Sequence, residues 1–491
     1  VLEPGFHANI NTHGNITIRA QAGKAQDNPR SANQSNTTPD PVKLALLSNR
    51  FISIAEQMGK ALQRTAISTN IKERCDFSCA LFDAGGNLVA NAPHTPVHLG
   101  AMSHAVKAQI EDPQIEDPQI EMLPGDTILS NHPARGGSHL PDITLITSVW
   151  LDNAIVAYVA NRGHHADIGG LTPGSMPAFS AFLAEEGCAI HSLKIVSHGR
   201  FQEQRLREIF ASPGSGRYGE PVPGSRCIED NLSDVQAQIA ANRCGVNLLH
   251  ELYRHFGLSC VTAYMEHIQD HAERCVRSCL QHIGKEHGAA HHGNDEWVEL
   301  QAQDFLDDGT RIAIHLRIGP DGDATFDFRS TDTQQWGNLN TPRAVTTSAV
   351  LYCLRCMVAE AIPLNQGCLR PVQIFTRPGS ILNPAPDLGV VGGNVLTSQR
   401  IVDVVLRAFG LVAASQGCMN NLTFGGSGFG YYETIGGGSG AGPGWHGASG
   451  IHTHMTNTRI TDVEILEQRY PVVVTRFALR HDSGGAGDWC G

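Results

Sequence analysis

The chain has 491 residues, with 36 Lys and Arg against 48 Asp and Glu and a formal charge of −12. That acidic balance, with no basic runs, argues against nucleic acid or an anionic membrane as the main partner. No window approaches the roughly 20 consecutive apolar residues of a membrane span, and the first residues, VLEPGFHANI, lack a signal-peptide core, so a soluble, cytoplasmic protein without a membrane partner is expected.

The length predicts two or three domains. Thirteen cysteines, scattered and odd in number, fit a reducing compartment better than a disulfide scaffold. Residues 1–40 carry strand-like fragments such as NITIRAQAG and then the polar run AQDNPRSANQSNTTPDP, a linker by composition. They read as the end of a preceding segment. Asp40 or Thr38 is placed to cap a helix from near Pro41, with Leu44, Leu47, Phe51, Ile54, Met58 and Leu62 on its core face. Residues 76–91 predict two strands about a Gly-Gly turn. The histidine-bearing loop APHTPVHLGAM follows, then a helix from about Met102, and then a surface loop in which EDPQI occurs twice.

Residues 136–170 read GGSHLPDITLITSVWLDNAIVAYVANRGHHADIGG. ITLITSVW and IVAYVANR are β-branched and aromatic-rich, and LDNA between them is a hairpin turn. A two-residue loop at Asp152-Asn153 puts Asp142 opposite Gly163, Pro141 opposite His164 and His139 opposite Ala166. Opposed residues lie about 5 Å apart and diagonal ones about 7–8 Å, so His139, Asp142, His164 and Asp167 could converge. Two imidazoles and a carboxylate suit Zn, Mn or Fe(II). Equally, such histidines could simply hydrogen-bond loop backbone.

NLSDVQAQIAANRCGVNLLHELYRHFG predicts a long helix capped by Ser233, with Gln236 completing a capping box and Gly257 ending it. SCVTAYMEHIQDHAERCVRSCLQHIG predicts a second, antiparallel helix. Beyond Trp297 come a hairpin about Pro320-Asp321-Gly322, a helix from Ala344 to Ala361, strands near PVQIFTRPGSIL and a helix at SQRIVDVVLRAFGLVAAS. The pairs Cys353/Cys356 and Cys275/Cys279 read as buried small apolar residues. The Gly-rich run 425–450 is interleaved with Tyr431, Tyr432, Glu433, Trp445 and His446, which predicts an ordered loop.

No GxxxxGK[ST] loop or Rossmann fingerprint is present, and no GxSxG elbow in strand-turn-helix context. Gly392-Gly393-Asn394 precedes a helix whose N-terminus could hold an anion. Asn70, Glu73, Arg74, Asp76, His94, His98, Asn338, Asn340, His452 and His454 stand in apolar or glycine-bounded settings and read first as structural. The fold class expected is mixed α/β (α+β) and multi-domain, with regions 41–295 and 296–491.

The runs RFISIAEQMGKALQRTAISTNIKERCDFSCALFD, NAPHTPVHLGAM, LSNHPARGGSHLPDITLIT, NRGHHADIGGLTPGSMP, GNLNTPRAVTTSA, VVGGNVLTSQRIVD and HMTNTRITDVEILEQRYP together resemble the hydantoinase B/oxoprolinase family from about Asp40 onward. STNIKER, RGHHADIGG and THMTNTRITD most resemble the C-terminal half of its ATP-dependent 5-oxoprolinases. The resemblance implies a hydantoinase B-type fold with a hairpin-borne active site. It implies hydrolysis of a phosphorylated 5-oxo-L-proline to L-glutamate in glutathione turnover, with ATP-Mg used by a hydantoinase A-like ATPase half or subunit rather than by this chain. Alternatives within the family are a hydantoinase B subunit, acting on another lactam or cyclic imide, and a carboxylase-type subunit; a non-catalytic scaffold is a third reading. By resemblance to metal-binding carboxylases, His139, Asp142 and His164 are the expected ligands of a divalent metal (Mn, Zn or Fe). His165 and Asp167 are then the expected general base or orienting groups, His94, His98 and Asn394 the expected substrate contacts, and the protein an oligomer.

Overall fold

A computed structural model describes residues 6–12, 16–20, 37–111, 122–288 and 297–491. Most of the expected linker and nearly all of the duplicated EDPQI lie outside the described residues. The described residues up to Thr38 form one unit and those from Pro39 onward another. In the first, β1 (Phe6–Ile10) pairs antiparallel with β2 (Ile16–Ala20).

The second unit begins with α1 (Pro41–Thr65). Asp40 accepts the Lys43 N–H at 2.8 Å, and proline at the first helical position needs no partner for a missing N–H. Leu47, Phe51, Ile54, Met58 and Leu62 are buried, as their spacing predicts. A short turn, α2 (Thr69–Lys72), leads to β3 (Phe77–Asp83) and β4 (Leu88–Asn91), and then to α3 (Leu99–Glu111), which starts ahead of the expected Met102.

β5 (Thr127–Ser130), β6 (Asp142–Leu151), β7 (Ala154–His164), β8 (Leu193–Ser197) and β9 (Arg200–Phe201) complete a seven-stranded antiparallel sheet of order β4-β3-β7-β6-β5-β8-β9. Helices cover both faces of its centre, so the middle strands are buried throughout rather than alternating. Cys79, Leu81, Ala157 and Val159 pack toward α1, whereas Ala80, Phe82, Tyr158 and Ala160 pack toward α3.

After α4 (Glu203–Ala211), α5 runs over Ile228–Phe256 and α6 over Leu258–Gly288. Gly257 ends α5 with φ 82°, as expected. Ser233 and Gln236 are interior positions rather than a cap. The first turn instead carries Glu229 and Asp230, whose charges suit the positive end of the helix.

A second sheet joins β10 (Val298–Phe305), β11 (Arg311–Ile318), β12 (Ala324–Asp327) and β13 (Val372–Phe375), with β12 and β13 parallel. It shares one core with α6, α7 (Arg343–Met357) and α8 (Ser398–Ala408). The boundary read near residue 295 therefore runs through shared packing. α7 stops short of Ala361, and Cys356 is exposed while its partner Cys353 is buried. The Gly-rich region opens as a hairpin, β14 (Asn421–Gly426) and β15 (Phe429–Thr434), and α9 (Val463–Arg469) follows. Among the described residues no helix is long and apolar enough to cross a membrane.

Candidate metal centre

The β6–β7 hairpin turns through Asp152 and Asn153 at φ 49° and 63°, the left-handed pair that two-residue hairpin loops require. Beside the turn the pairing is as the loop length predicts, Leu151 with Ala154 and Trp150 with Ile155. The next pair is Val149 with Ala157, which leaves Val156 as an extra residue on β7. Past this bulge the register is one residue away from expectation. Asp142 faces His164 rather than Gly163, so the two side chains share a face.

His139 arrives from the loop before β6. Gly136 has φ 82°, and a Cβ on it would overlap the Ala105 backbone of α3. A Cβ on Gly137 would overlap the Asn131 carbonyl. Two glycines are thus what lets the loop pass between α3 and the end of β5. Arg162, fully buried on β7, fastens it by donating to Thr144 Oγ1 (2.7 Å), Ser138 Oγ (3.2 Å) and Gly136 O (2.7 Å). Burial pushes this guanidinium down to about 10, against the favourable charge of Asp142.

His139 Nε2 lies 3.2 Å from His164 Nδ1 and 3.2 Å from Asp142 Oδ1, and His164 Nδ1 lies 2.9 Å from that same oxygen. Three atoms at about 2.1 Å from one ion, at right angles, would be ~3.0 Å apart. The spacing therefore fits a divalent ion, and the buried trio forms a group that could hold one. The donor chemistry fits as well, because two imidazole nitrogens facing each other and one carboxylate oxygen leave either proton or lone pair poorly placed without a cation between them. Burial pushes the Asp142 carboxyl up, but His139 and His98 beside it, with hydrogen bonds from His139 and His164, hold it well below the usual range. Burial lowers His164, against the Asp142 hydrogen bond, favouring the neutral form that binds metals.

The other carboxylate oxygen, Oδ2, takes the Ser138 hydroxyl and His98 Nε2 at 3.2 Å, while His98 Nδ1 meets Ser78 Oγ at 2.9 Å. Tyr432 of β15 stacks on His164, centroids 4.4 Å apart. Behind it the buried Arg74 sits 4.8 Å over the Tyr432 ring and pairs with Glu433 at 2.7 Å and Asp76 at 3.6 Å. The Gly-rich region thus supplies a wall of the site.

His139, Asp142, His164 and His98 come together, whereas His94, His165 and Asp167 are turned to other partners. His94 accepts the Cys79 N–H at 3.0 Å and packs on Phe77 and Gly59, and burial lowers it to about 4. His165 points to α5, with Gln238 at 3.1 Å and Asn231 at 3.2 Å on its two nitrogens. Asp167 accepts the N–H groups of Gly169 and Gly174 and pairs with Arg226 at 3.1 Å, organising the following turn. Asn394 is buried in a π-helical turn, Gly393–Thr397, continuous with α8, and the helix begins upstream, where the Val390 and Val391 N–H groups donate to the Glu186 carboxylate. Ser138, Arg162, Tyr432 and Glu186 belong to the surroundings without having been singled out for that role. Glu186 is fully buried and close enough to His139 for their charges to interact; burial raises it to about 7, against hydrogen bonds from Val390, Val391 and Ser180. Only Tyr432 had a signal, as an aromatic in a glycine run.

Residues 40–491 match hydantoinase B/oxoprolinase. The chain is 52% identical over 492 residues to 5-oxoprolinase 1 of Arabidopsis thaliana, covering 99% of this chain and 38% of that protein. It is 51% identical over 493 residues to 5-oxoprolinase of Dictyostelium discoideum, covering 100% and 37%. The chain thus spans under two fifths of the length of these relatives. The crystal structure of the ATP-dependent caprolactamase from Pseudomonas jessenii has the same fold, with TM-score 0.78 and 24% identity over 92% of this chain and 77% of that one. With its mixed helix and sheet architecture, the chain belongs to the hydantoinase B/oxoprolinase family.

Proposed function

We propose that this chain is the hydrolytic part of an ATP-dependent 5-oxoprolinase, opening phosphorylated 5-oxo-L-proline to L-glutamate. The observation that carries the reading is the 52% identity to a 5-oxoprolinase across 99% of the chain. An unactivated lactam is a poor electrophile, and the sequence offers no phosphate-binding loop, so activation belongs to a hydantoinase A-like ATPase portion or subunit. A divalent cation (Mn, Zn or Fe) held by His139, Asp142 and His164 would supply Lewis-acid activation of water or of the substrate oxygen. Ser138 and His98 hold Asp142 by its outer oxygen, and Tyr432 fixes the plane of His164. Such support keeps ligands oriented toward one point. Thirteen cysteines without a disulfide accord with a cytoplasmic place in glutathione turnover; the reading also keeps assembly as an oligomer.

The test is reconstitution. The purified chain alone should turn over neither ATP nor 5-oxoproline, and glutamate should form when the ATPase portion, ATP and Mg are supplied. ATP hydrolysis by the isolated chain, or glutamate formation without ATP, would contradict this division.

A further inference from the structure

Phe179, Tyr218 and Trp336 are 96%, 85% and 75% exposed. Isolated exposed apolar residues are ordinary, but Tyr218 and Trp336 are brought together through Phe182 and Arg217, and Phe179 stands three residues before Phe182. The Trp336 ring meets Phe182 edge-on at 5.8 Å, and the Arg217 guanidinium lies over both Phe182 (5.9 Å) and Tyr218 (5.5 Å). Aromatics and arginine in one cluster are the composition of interface centres. Each large aromatic can bury about 150–250 Å², so three of them approach the area one partner gives to a standard interface, ~800 Å².

The patch is also held rigid from beneath. Asn340 ties the loop that presents Trp336, its Oδ1 accepting the Gln335 N–H (2.9 Å) and its Nδ2 donating to Gly337 O (2.8 Å) and Gly389 O (3.1 Å). Asn338 Nδ2 donates to Pro177 O (2.8 Å) and Ser180 Oγ (3.2 Å), binding that loop to the one carrying Phe179. The turn presenting Tyr218 is closed by its N–H to Glu220 at 2.8 Å. Exposed aromatics on a pre-ordered base lose little entropy on docking. Ser180 in turn donates to Glu186 at 2.8 Å, and Glu186 lies within charge range of His139. The hydrogen-bonded network beneath the patch thus ends on Glu186, which lies within charge range of the trio.

We infer that this aromatic patch is the surface on which the ATPase portion docks, so that the activated lactam is delivered beside the trio. The occupant is chosen by length, since the chain spans only 38% of its Arabidopsis relative and the remainder of such a protein must pack against some face of this unit. The inference rests on the proposed function only for the identity of the partner.

The test places the photo-crosslinker p-benzoylphenylalanine at Trp336, and separately at Tyr218, in the complete enzyme with its ATPase portion present. Both sites are exposed, so folding is not at stake. Irradiation and peptide mass spectrometry should find adducts to the ATPase portion from both positions and none from a control at Val42, which is also exposed but lies on α1. Adducts to a second copy of residues 40–491, or no protein adduct, would overturn the inference. The readout is contact rather than turnover, so it stands apart from any failure of the proposed activity.

Discussion

Asp142 divides its two oxygens between two tasks: Oδ1 faces His139 and His164, and Oδ2 is held by Ser138 and His98. Asp142→Asn keeps the shape but puts an amide, uncharged and in part a donor, where a cation should bind. Bound metal per chain, read by elemental analysis after dialysis, should fall to background. Ser138→Ala removes only outer support and should weaken metal affinity by about 10-fold, at the mild end of such losses. Full metal retention in Asp142→Asn would count against the centre. At this scale the sequence showed the trio, because the ligands are few, polar and set in apolar surroundings. His165 and Asp167 are harder to read, since adjacency to a ligand says nothing of direction: just past the end of β7 His165 turns to α5 and Asp167 to Arg226. Glu186 gave no signal, since its importance lies only in what surrounds it after folding.

The hairpin is the element that assembles the site, and Arg162 is the tie between its second strand and the loop carrying His139. A lysine there has the charge but not the planar fork needed to reach Thr144, Ser138 and Gly136 together. Arg162→Lys should lower stability by about 2–4 kcal/mol, the range for a broken buried charge network, and should also weaken metal affinity, measured by chelator competition. Unchanged affinity with lowered stability would make Arg162 a core residue only. The hairpin and its turn could be read from the sequence, and its strand limits to within two residues. The bulge at Val156 could not, because a register slip is normally betrayed by apolar residues moving to the wrong face, and here both faces are covered by helices. Likewise Ser233 resembled a cap only because the true start of α5 lies upstream, where Glu229 and Asp230 hold it by charge.

Over the whole molecule, the half-buried His104 and the buried His132 should each contribute a loss of stability in acid. His104 is lowered to about 4 by burial and then by Arg343 and Lys107, and His132 to about 3 by burial and then by His191 and Arg135. The unfolded chain takes up these protons near pH 6.5, so the unfolded state binds more protons in between and stability rises with pH there. The contribution is complete above about pH 6.5 and is lost as pH falls toward 4 and 3. The urea midpoint should therefore drop between pH 7 and pH 5, and His104→Gln should reduce that drop; an equal slope in both proteins would contradict it. The overall architecture was legible as mixed helix and sheet, whereas the continuous core across residue 295 was not, because packing between segments distant in sequence leaves no local pattern. On the proposed reading, the trio performs hydrolysis after activation by another portion of the enzyme. The most direct measurement is the ratio of phosphate to glutamate formed by the complete enzyme, wild type against His139→Ala, at matched folding and assembly. Phosphate release should continue in the variant, as water attacks the stranded intermediate at phosphorus and returns 5-oxoproline and phosphate, while glutamate formation falls by at least the roughly 10–100-fold typical of losing a ligand's outer support, so the ratio rises. A parallel fall of both products, or an unchanged rate of glutamate formation, would contradict the account.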